Sequence, residues 1–386
     1  MGDERWSYEG QLAYFKKTER WFKASDAHGQ DGKFDIESPS SAGRVFPLHD
    51  KMEQAWNELG VRTLPGYDMN AGDNIGVGEF NENRSKGARQ IAPFAYPLDG
   101  ATLLADTLVA SIIVEGGGDG TTIPRATGVR LADGREFRAQ EVIVSCGAYR
   151  TPQLLMLSGI GPAATLRQHG IEVRADIPDV GRGLNDHLMM HLNWRLRDPS
   201  RNEVLGSANP IFARPEYAKG VPTSFIVCTT APEAGLRAAI AKDAAEGIPD
   251  PDSGADVDVN HHPLLRRRFA LSEHVILHAP LPPLPPDGAH IGSMIMEMKP
   301  TSRGTVTIGS RNPADPPVID PNYLATEVDR FAWRAGLREL LALLASDRTV
   351  LGREVIAGEV PPPGCEALTA DSPDDALDKR VKDFGS

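Results

Sequence analysis

The chain lacks the features that mark several large classes of protein. It has 3 cysteines, Cys146, Cys228 and Cys365, and no C-x-x-C pair. This spacing excludes a disulfide framework and a cysteine-based zinc site. No window approaches the ~20 apolar residues that cross a bilayer, and the N-terminal MGDERWSYEG lacks the apolar core of a secretory signal. The sequence as given therefore predicts a cytoplasmic protein with no membrane partner.

Positive charge is also scarce. The chain carries 41 Lys and Arg against 53 Asp and Glu, a formal net charge of −12. The basic residues form no stripe, so a nucleic-acid partner is not expected. The run of arginines at 266–268 is interpreted as a solvated loop, with an anion site as the alternative.

A third absence concerns the phosphate-binding turn of dinucleotide sites. The chain has 38 glycines but no G-x-G-x-x-G sequence, the turn whose backbone N–H groups hold a pyrophosphate at a helix N-terminus. The Gly-rich stretch at 116–120 is the nearest candidate. Because Pro124 follows it without a helical pattern, a hairpin loop is the favoured interpretation.

The most informative stretch that is present covers residues 141–162, EVIVSCGAYRTPQLLMLSGIGP. Its β-branched run at 142–144 is typical of a strand buried on both faces of a parallel sheet. Thr151 and Pro152 predict the start of a helix. The small residues at 146–148 leave room for a flat cofactor at the carboxyl end of the strand.

Residues 147–161, GAYRTPQLLMLSGIG, resemble the second signature of the glucose-methanol-choline (GMC) oxidoreductases, a family of flavoproteins. The resemblance covers nearly the whole chain. It departs from the family pattern at Gly183, where Asn is common, and at 87–91, where the usual Arg-x-Ser segment is missing. Further segments similar to the family are 6–19 (WSYEGQLAYFKKTE), 66–70 (GYDMN), 178–187 (PDVGRGLNDH), 300–306 (PTSRGTV) and 315–324 (DPPVIDPNYL).

The resemblance implies an α/β fold in which an incomplete, GMC-type FAD-binding domain is interleaved with a substrate domain of antiparallel sheet and helices. Residues 1–190 are expected to form the partial FAD-binding domain with part of the substrate cap, and residues 191–386 mainly the substrate domain. Without the first βαβ unit, a sheet edge and apolar faces should be exposed. We therefore expect the isolated chain to be poorly soluble.

The resemblance also implies FAD as cofactor, with Val109, Ser145, Gly147 and Ala148 against it. In a complete member, FAD takes hydride from an alcohol carbon while a histidine removes the hydroxyl proton. The family carries its phosphate turn before the segment similar to 6–19 and its histidine after the acidic C-terminal helix. No residue of this chain is therefore expected to be catalytic.

The expected function is FAD-dependent oxidation of a small-molecule alcohol to an aldehyde or ketone in specialised metabolism. Two alternatives stay open, a truncated non-redox remnant or binding module, and one part of a split enzyme. The substrate, the electron acceptor and the oligomeric state are also open.

Two other kinds of site are weighed against the residues. His187 and His191 would share one face of a helix, as zinc ligands can. However, the run at 188–197 alternates like a strand and no third ligand is near, so no metal site is predicted. A hydrolase triad of Ser145, Asp186 and His187 is disfavoured because no G-x-S-x-G turn exists.

Periodicity and turn residues predict the other elements. A β-meander is expected over 104–144, with a tight turn at Asp133 and Gly134. The further predicted elements are helices at 6–22, 47–59, 163–169, 232–246 and 327–346, a strand at 171–175, and a hairpin with its turn at 302–304.

Overall fold

The structure is a computed structural model that describes residues 3–117, 122–249, 251 and 254–386. Its α-helices are α1 (Tyr8–Thr18), α2 (His49–Glu58), α3 (Ala92–Ala95), α4 (Gly147–Leu157), α5 (Ala163–Gln168), α6 (Glu233–Ala245), α7 (Pro263–Arg266), α8 (Glu327–Leu344) and α9 (Asp374–Phe384). Its strands are β1 (Glu19–Arg20), β2 (Phe34–Glu37), β3 (Gly76–Glu79), β4 (Glu82–Ser85), β5 (Ala88–Arg89), β6 (Val109–Glu115), β7 (Arg125–Leu131), β8 (Glu136–Arg138), β9 (Ile160–Gly161), β10 (Ala175–Asp176), β11 (Arg182–Leu184), β12 (Met189–Leu196), β13 (Thr223–Thr229), β14 (Ser272–Leu277), β15 (His290–Glu297), β16 (Gly304–Thr307), β17 (Val318–Asp320) and β18 (Ile356–Val360).

A six-stranded antiparallel sheet is the centre of the fold. Its strand order is β18-β12-β15-β14-β13-β3. Apolar side chains on one face, including Trp194 and Ile295, pack against α2 and α8 in the main core. Trp56 from α2 and Trp333 from α8 are almost completely buried in this layer. The predicted antiparallel sheet with flanking helices is therefore present.

Helix α8 matches the prediction closely, since it covers Glu327–Leu344. Thr326 caps it, with its side chain accepting a hydrogen bond from the backbone N–H of Asp329. Leu340, Leu341 and Leu344 on its apolar side are buried in the main core. Its period of about 3.6 residues is a local property, which is why it could be predicted.

The predicted β-meander is also confirmed, as the three-stranded sheet β6-β7-β8. Gly134 has φ of +89° in the turn after β7, which glycine adopts without strain. Of the Gly-rich stretch weighed as a phosphate site, residues 118–120 lie outside the described residues.

The predicted hairpin at 302–304 is wrong. Strand β15 pairs with β12 and β14, whereas β16 pairs with β11 and β17. The backbone N–H groups of Thr301 and Ser302 donate to the carboxylate of Asp329, at 2.6 and 3.0 Å. This contact with α8 fixes the chain where it passes from one sheet to the other, so the two strands do not pair.

Three further predictions needed revision. Helix α1 covers Tyr8–Thr18 rather than 6–22, and no residue of it is buried. Of the strand predicted at 171–175, only Ala175 is paired, with Ile160. Ile171 and Val173 pack on an apolar cluster instead. The polar stretch 25–43 predicts loop and turn from its sequence, but it contains strand β2. Helices α2, α5 and α6 agree with their predictions to within about two residues at each end.

Candidate functional site

Helix α4 carries the signature and starts earlier than predicted. It begins at Gly147, after Cys146 as N-cap, and Pro152 lies inside it. Proline has no N–H to donate to the carbonyl of Ala148, so the first turn is held less firmly than the rest. The Thr-Pro pair that predicted the helix start therefore lies within the helix.

The strand predicted at 142–144 is not formed. Residues 141–146 carry no regular hydrogen-bonded structure, and Ile143 is 81% exposed. Within the described part of the chain, no backbone hydrogen bond joins 141–145 to another segment. A strand buried on both faces needs neighbours on both sides. The β-branched run is present, but no described strand pairs with it.

The structure places the four residues expected near a flavin on two adjoining elements. Val109 begins β6 and is half-buried, whereas Ser145, Gly147 and Ala148 are exposed at the start of α4. The two elements are joined because the N–H of Ile112 in β6 donates to Ser158 Oγ at 2.8 Å. That hydroxyl in turn donates to the carbonyl of Leu154 in α4 at 2.6 Å.

The surroundings of Gly147 leave space for a flat group. Its φ is +77°, and a Cβ built on it would have no atom within 4 Å. Among the described residues, the backbone N–H and C=O groups of 141–145 have no hydrogen-bond partner. Free backbone groups beside an open glycine fit one wall of a nucleotide site. The sequence contains no G-x-G-x-x-G turn that could bind the phosphates of the nucleotide.

Helix α4 is also fastened to the segment 315–324. Both Arg150 Nη1 and Gln153 Nε2 donate to the carbonyl of Asp315, at 2.9 and 2.8 Å. Gln153 is 4% exposed, so its amide bears a desolvation cost that this bond offsets. The signature and a second family-like segment are thus brought together.

The segment 178–187 lies against the same region. The N–H of Val306 donates to the carbonyl of Gly181 at 2.7 Å, and a Cβ at Gly181 would lie 2.0 Å from the carbonyl oxygen of Val306. The hydroxyl of Tyr323 donates to Asp186 Oδ2 at 2.9 Å. Burial, followed by this bond to the carboxylate, raises the pKa of Tyr323 to about 12.

The structure does not assemble the hydrolase triad or the histidine metal site that were considered from the sequence. Asp186 accepts from Tyr323 and from the N–H of His187 rather than from an imidazole ring. His191 lies on strand β12, as its alternating pattern indicated. Among the described residues no group of three or more His, Cys, Asp or Glu could hold a metal ion.

Sequence reasoning missed the second face of the six-stranded sheet. On this face Met294 and Met296 of β15 are half-buried, as is Glu273 of β14. His191 on the adjacent β12 is exposed at the surface, and partial desolvation by its neighbours lowers its pKa. The period-2 alternation of β12 and β15 was the available signal, because it separates this face from the core face.

Comparison with known proteins decides the family. Family models described as GMC oxidoreductase match residues 1–189 and 300–384. The chain belongs to the GMC oxidoreductases. Residues 190–299, between the two matches, include β13, β14 and β15. This family membership was predicted from the signature and is confirmed.

Individual relatives agree with this assignment. The chain is 38% identical over 393 residues to the GMC-type oxidoreductase acuG of Aspergillus aculeatus, covering 100% of this chain and 68% of the relative. It is 32% identical over 341 residues to mitochondrial choline dehydrogenase of Homo sapiens, covering 85% of this chain and 52% of that protein. The chain thus spans about two thirds of the first relative and about half of the second.

Solved structures show the same fold. A structure of pyridoxine 4-oxidase from Mesorbium loti aligns with TM-score 0.72 at 24% identity, covering 100% of this chain and 66% of that one. An FAD-dependent oxidoreductase from Chaetomium thermophilum aligns with TM-score 0.77 at 20% identity, covering 100% and 70%. The α/β fold class is confirmed, and FAD is the cofactor that the family assignment supports. Among the described residues, no helix has the length and apolar character to cross a bilayer.

Proposed function

We propose that this chain forms the substrate side and one wall of the flavin site of an enzyme that oxidises a small-molecule alcohol with FAD. The observation that carries the proposal is the joining of family-like segments around α4. Arg150 and Gln153 bind Asp315, and Gly181 binds Val306. This arrangement leaves Gly147 exposed beside the backbone of 141–145, which forms no hydrogen bond with another described segment.

Val109, Ser145, Gly147 and Ala148 would form the flavin wall. They would offer backbone groups and room for the ring system rather than charged side chains. FAD, when it is bound, would accept the hydride from the substrate. The chain's own contribution would be to position the cofactor at α4 and the substrate at the second face of the central sheet. The division into a partial FAD-binding domain at 1–190 and a substrate domain at 191–386 belongs to this proposal. So do a cytoplasmic location and a role in specialised metabolism.

Flavin retention tests the proposal directly. The purified chain is mixed with FAD, desalted, and examined for the visible absorption of retained flavin. Since no residue of this chain is expected to be catalytic, bleaching of that absorption by alcohols is expected only in a protein that also carries the family's catalytic histidine. A chain that retains no flavin contradicts the proposal and favours a non-redox module. Retention that requires a second chain favours one part of a split enzyme.

Two glycines give a matched pair of variants for this experiment. Gly147 and Gly134 have φ of +77° and +89°, and a Cβ added at either position would have no atom within 4 Å. Gly147→Leu should abolish flavin retention because the side chain would fill the open space. Gly134→Leu carries similar backbone strain in the β7–β8 turn and should leave retention unchanged. Equal behaviour of the two variants would contradict the assignment of Gly147.

A further inference from the structure

Helix α1 and the segments around β2 and β3 line a large cavity. Its volume is about 710 Å³, which lies within the range that holds a small organic molecule. Tyr8, Leu12 and Phe15 of α1 line it together with Phe34 of β2 and Met69. We call this space the α1 cavity. None of the residues proposed for the flavin wall lines it.

The apolar side of helix α1 borders this cavity instead of a packed core. Tyr8, Leu12 and Phe15 are four and three residues apart, a spacing that places them on one side of a helix. An amphipathic surface helix normally buries such a stripe against the core. However, no residue of α1 is buried, and Phe15 is 55% exposed. The apolar side of α1 therefore faces open space that an apolar group would fill.

Trp21 supplies a hydrogen-bond donor in the cavity wall. It is 4% exposed, and its ring stacks on that of His28, with centroids 3.7 Å apart and planes at 4°. The two nitrogens of the His28 ring each lie 2.9 Å from a carboxylate oxygen, one of Glu19 and one of Asp68. These contacts hold the indole in place. Among the described residues, no atom accepts a hydrogen bond from Trp21 Nε1.

Asn81, in the short connection between β3 and β4, is a second unsatisfied group. It lines the α1 cavity, and within the described part of the chain neither its Oδ1 nor its Nδ2 has a hydrogen-bond partner. Buried polar groups of native proteins are nearly always satisfied, by protein, water or a ligand. A carboxamide presents a donor and an acceptor side by side. Another amide, which also has both, is therefore its natural complement.

The charges in the cavity wall favour a neutral ligand. Glu19 and His28, the acidic and basic side chains of the lining, bind each other. A charged ligand would therefore be desolvated without a free counter-charge. The three aromatic side chains that line the cavity at α1 and β2 favour a flat aromatic body. We propose that the α1 cavity binds a neutral aromatic carboxamide, whose amide group completes the hydrogen bonding of Asn81 and Trp21. This inference goes beyond the proposed function and does not depend on it.

Indole NMR of the purified chain can test this inference without flavin. The tryptophans are labelled with ¹⁵N, and Trp21→Phe and Trp194→Phe assign two of the indole N–H signals. The first probe is 2-naphthamide. The second is 2-acetonaphthone, which keeps the shape and the carbonyl but has no N–H, and the third is 2-naphthoate, which is charged.

We expect 2-naphthamide to shift the Trp21 signal. It should bind about tenfold more tightly than either other probe, a ratio that corresponds to about 1.4 kcal/mol, because only the amide satisfies both polar atoms of Asn81. The Trp194 signal is the internal control. This indole lies in the main core and already donates to Ser293 Oγ at 2.8 Å, so its signal should not move.

Two asparagine variants separate amide recognition from general apolar binding. Asn81→Leu nearly keeps the side-chain volume, removes both polar atoms, and should abolish the preference for 2-naphthamide over 2-acetonaphthone. Asn57→Leu replaces an exposed asparagine of α2 that does not line the cavity, and should keep the preference. The affinity ratio and the Trp21 shift of the unmodified chain test the inference even where Asn81→Leu fails to fold.

Several results would overturn the inference. Equal affinity for the amide and the ketone, tightest binding of 2-naphthoate, or an unchanged preference in folded Asn81→Leu would refute the proposed ligand class. A Trp21 signal that no probe shifts would show that the cavity holds water only. These failures can be distinguished from failure of the proposed function, which flavin retention by the Gly147 and Gly134 variants tests separately.

Discussion

Two isoleucines show how differently the two parts of this chain are packed. Ile291 in β15 is 0% exposed, whereas Ile143 in the run EVIVS is 81% exposed. Both lie in strand-like sequence, yet only Ile291 has paired strands on both sides. Strand-forming sequence supplies extended backbone, but pairing and coverage decide whether apolar side chains are buried.

Burial of apolar side chains also differs between the central sheet with α8 and the segment 91–108. The sheet and α8 contain the buried Trp194, Trp333 and Leu340. The chain from 91 to 108, by comparison, exposes large apolar side chains. These are Ile91, Phe94, Tyr96, Leu98, Leu103, Leu104 and Leu108. Exposed apolar side chains that form a large patch mark an interaction site or an aggregation risk. The expectation of poor solubility is a prediction that a solubility measurement tests.

The largest expected effect comes from truncating the two isoleucines. Ile291→Ala should lower the free energy of unfolding by about 2–5 kcal/mol, because it leaves a cavity in the main core. Ile143→Ala should change it by less than about 0.5 kcal/mol, because the side chain is already in water. Urea denaturation followed by circular dichroism measures both. A comparable loss for Ile143→Ala would show that residues 141–146 are packed in solution.

A smaller effect is expected at the start of α8, within the packed part. Burial disfavours the charged Glu327, but hydrogen bonds from Arg334, Lys242 and Arg330 outweigh it and lower the pKa of Glu327 to about 2. A lowered folded-state pKa stabilises the fold above the unfolded value and loses this effect as pH falls. Glu327→Gln should therefore cost about 1–3 kcal/mol near neutral pH, with the cost shrinking between about pH 5 and pH 2.

The control for this measurement is Glu233→Gln at the start of α6. Its side chain is 72% exposed and pairs with Arg237 at 3.2 Å. An exposed pair of this kind is worth less than about 1 kcal/mol. A Glu327→Gln cost that does not change with pH would contradict the ion-pair explanation.

The difference between the two parts also explains which predictions succeeded. Helix α8 and the meander β6-β7-β8 follow from local periodicity and a Gly turn. The hairpin at 302–304 failed because Asp329, distant in sequence, binds the backbone of Thr301 and Ser302. The prediction of a strand at 142–144 was wrong because a strand needs neighbouring strands to pair with. No described strand pairs with this run.

The candidate site was predictable only in part. Val109, Ser145, Gly147 and Ala148 came from resemblance to the family, and their role is still a prediction. Glu273 was not singled out, because a single Glu in SEHVIL gives no local sign of which sheet face it lies on. Only the strand register, which brings Met296 and Cys228 beside it, shows its surroundings.

A matched pair of tyrosines tests whether the segment 178–187 is held as firmly as the packed part. Tyr323 donates to Asp186 at 2.9 Å, and Tyr67 donates to Glu53 at 3.0 Å. Burial, with the bonded carboxylate second, raises the pKa of each to about 12. Replacing either with Phe should cost about 0.5–1.5 kcal/mol in urea denaturation. A cost for Tyr67→Phe alone would indicate that Asp186 is not fixed against Tyr323.

The smallest effect, with no expected change in stability, concerns two cysteines on opposite sides of the comparison. Cys146 is exposed before α4, whereas Cys228 is 2% exposed in β13. Burial, with Glu273 as the second cause, raises the pKa of the Cys228 thiol to about 12. Since the thiolate is the reactive form, iodoacetamide should label Cys146 in the native chain and Cys228 only after unfolding. Cys146→Ser provides the control in peptide mass spectrometry. Rapid native labelling of Cys228 would show that the sheet opens in solution, and would reverse the contrast between the two parts.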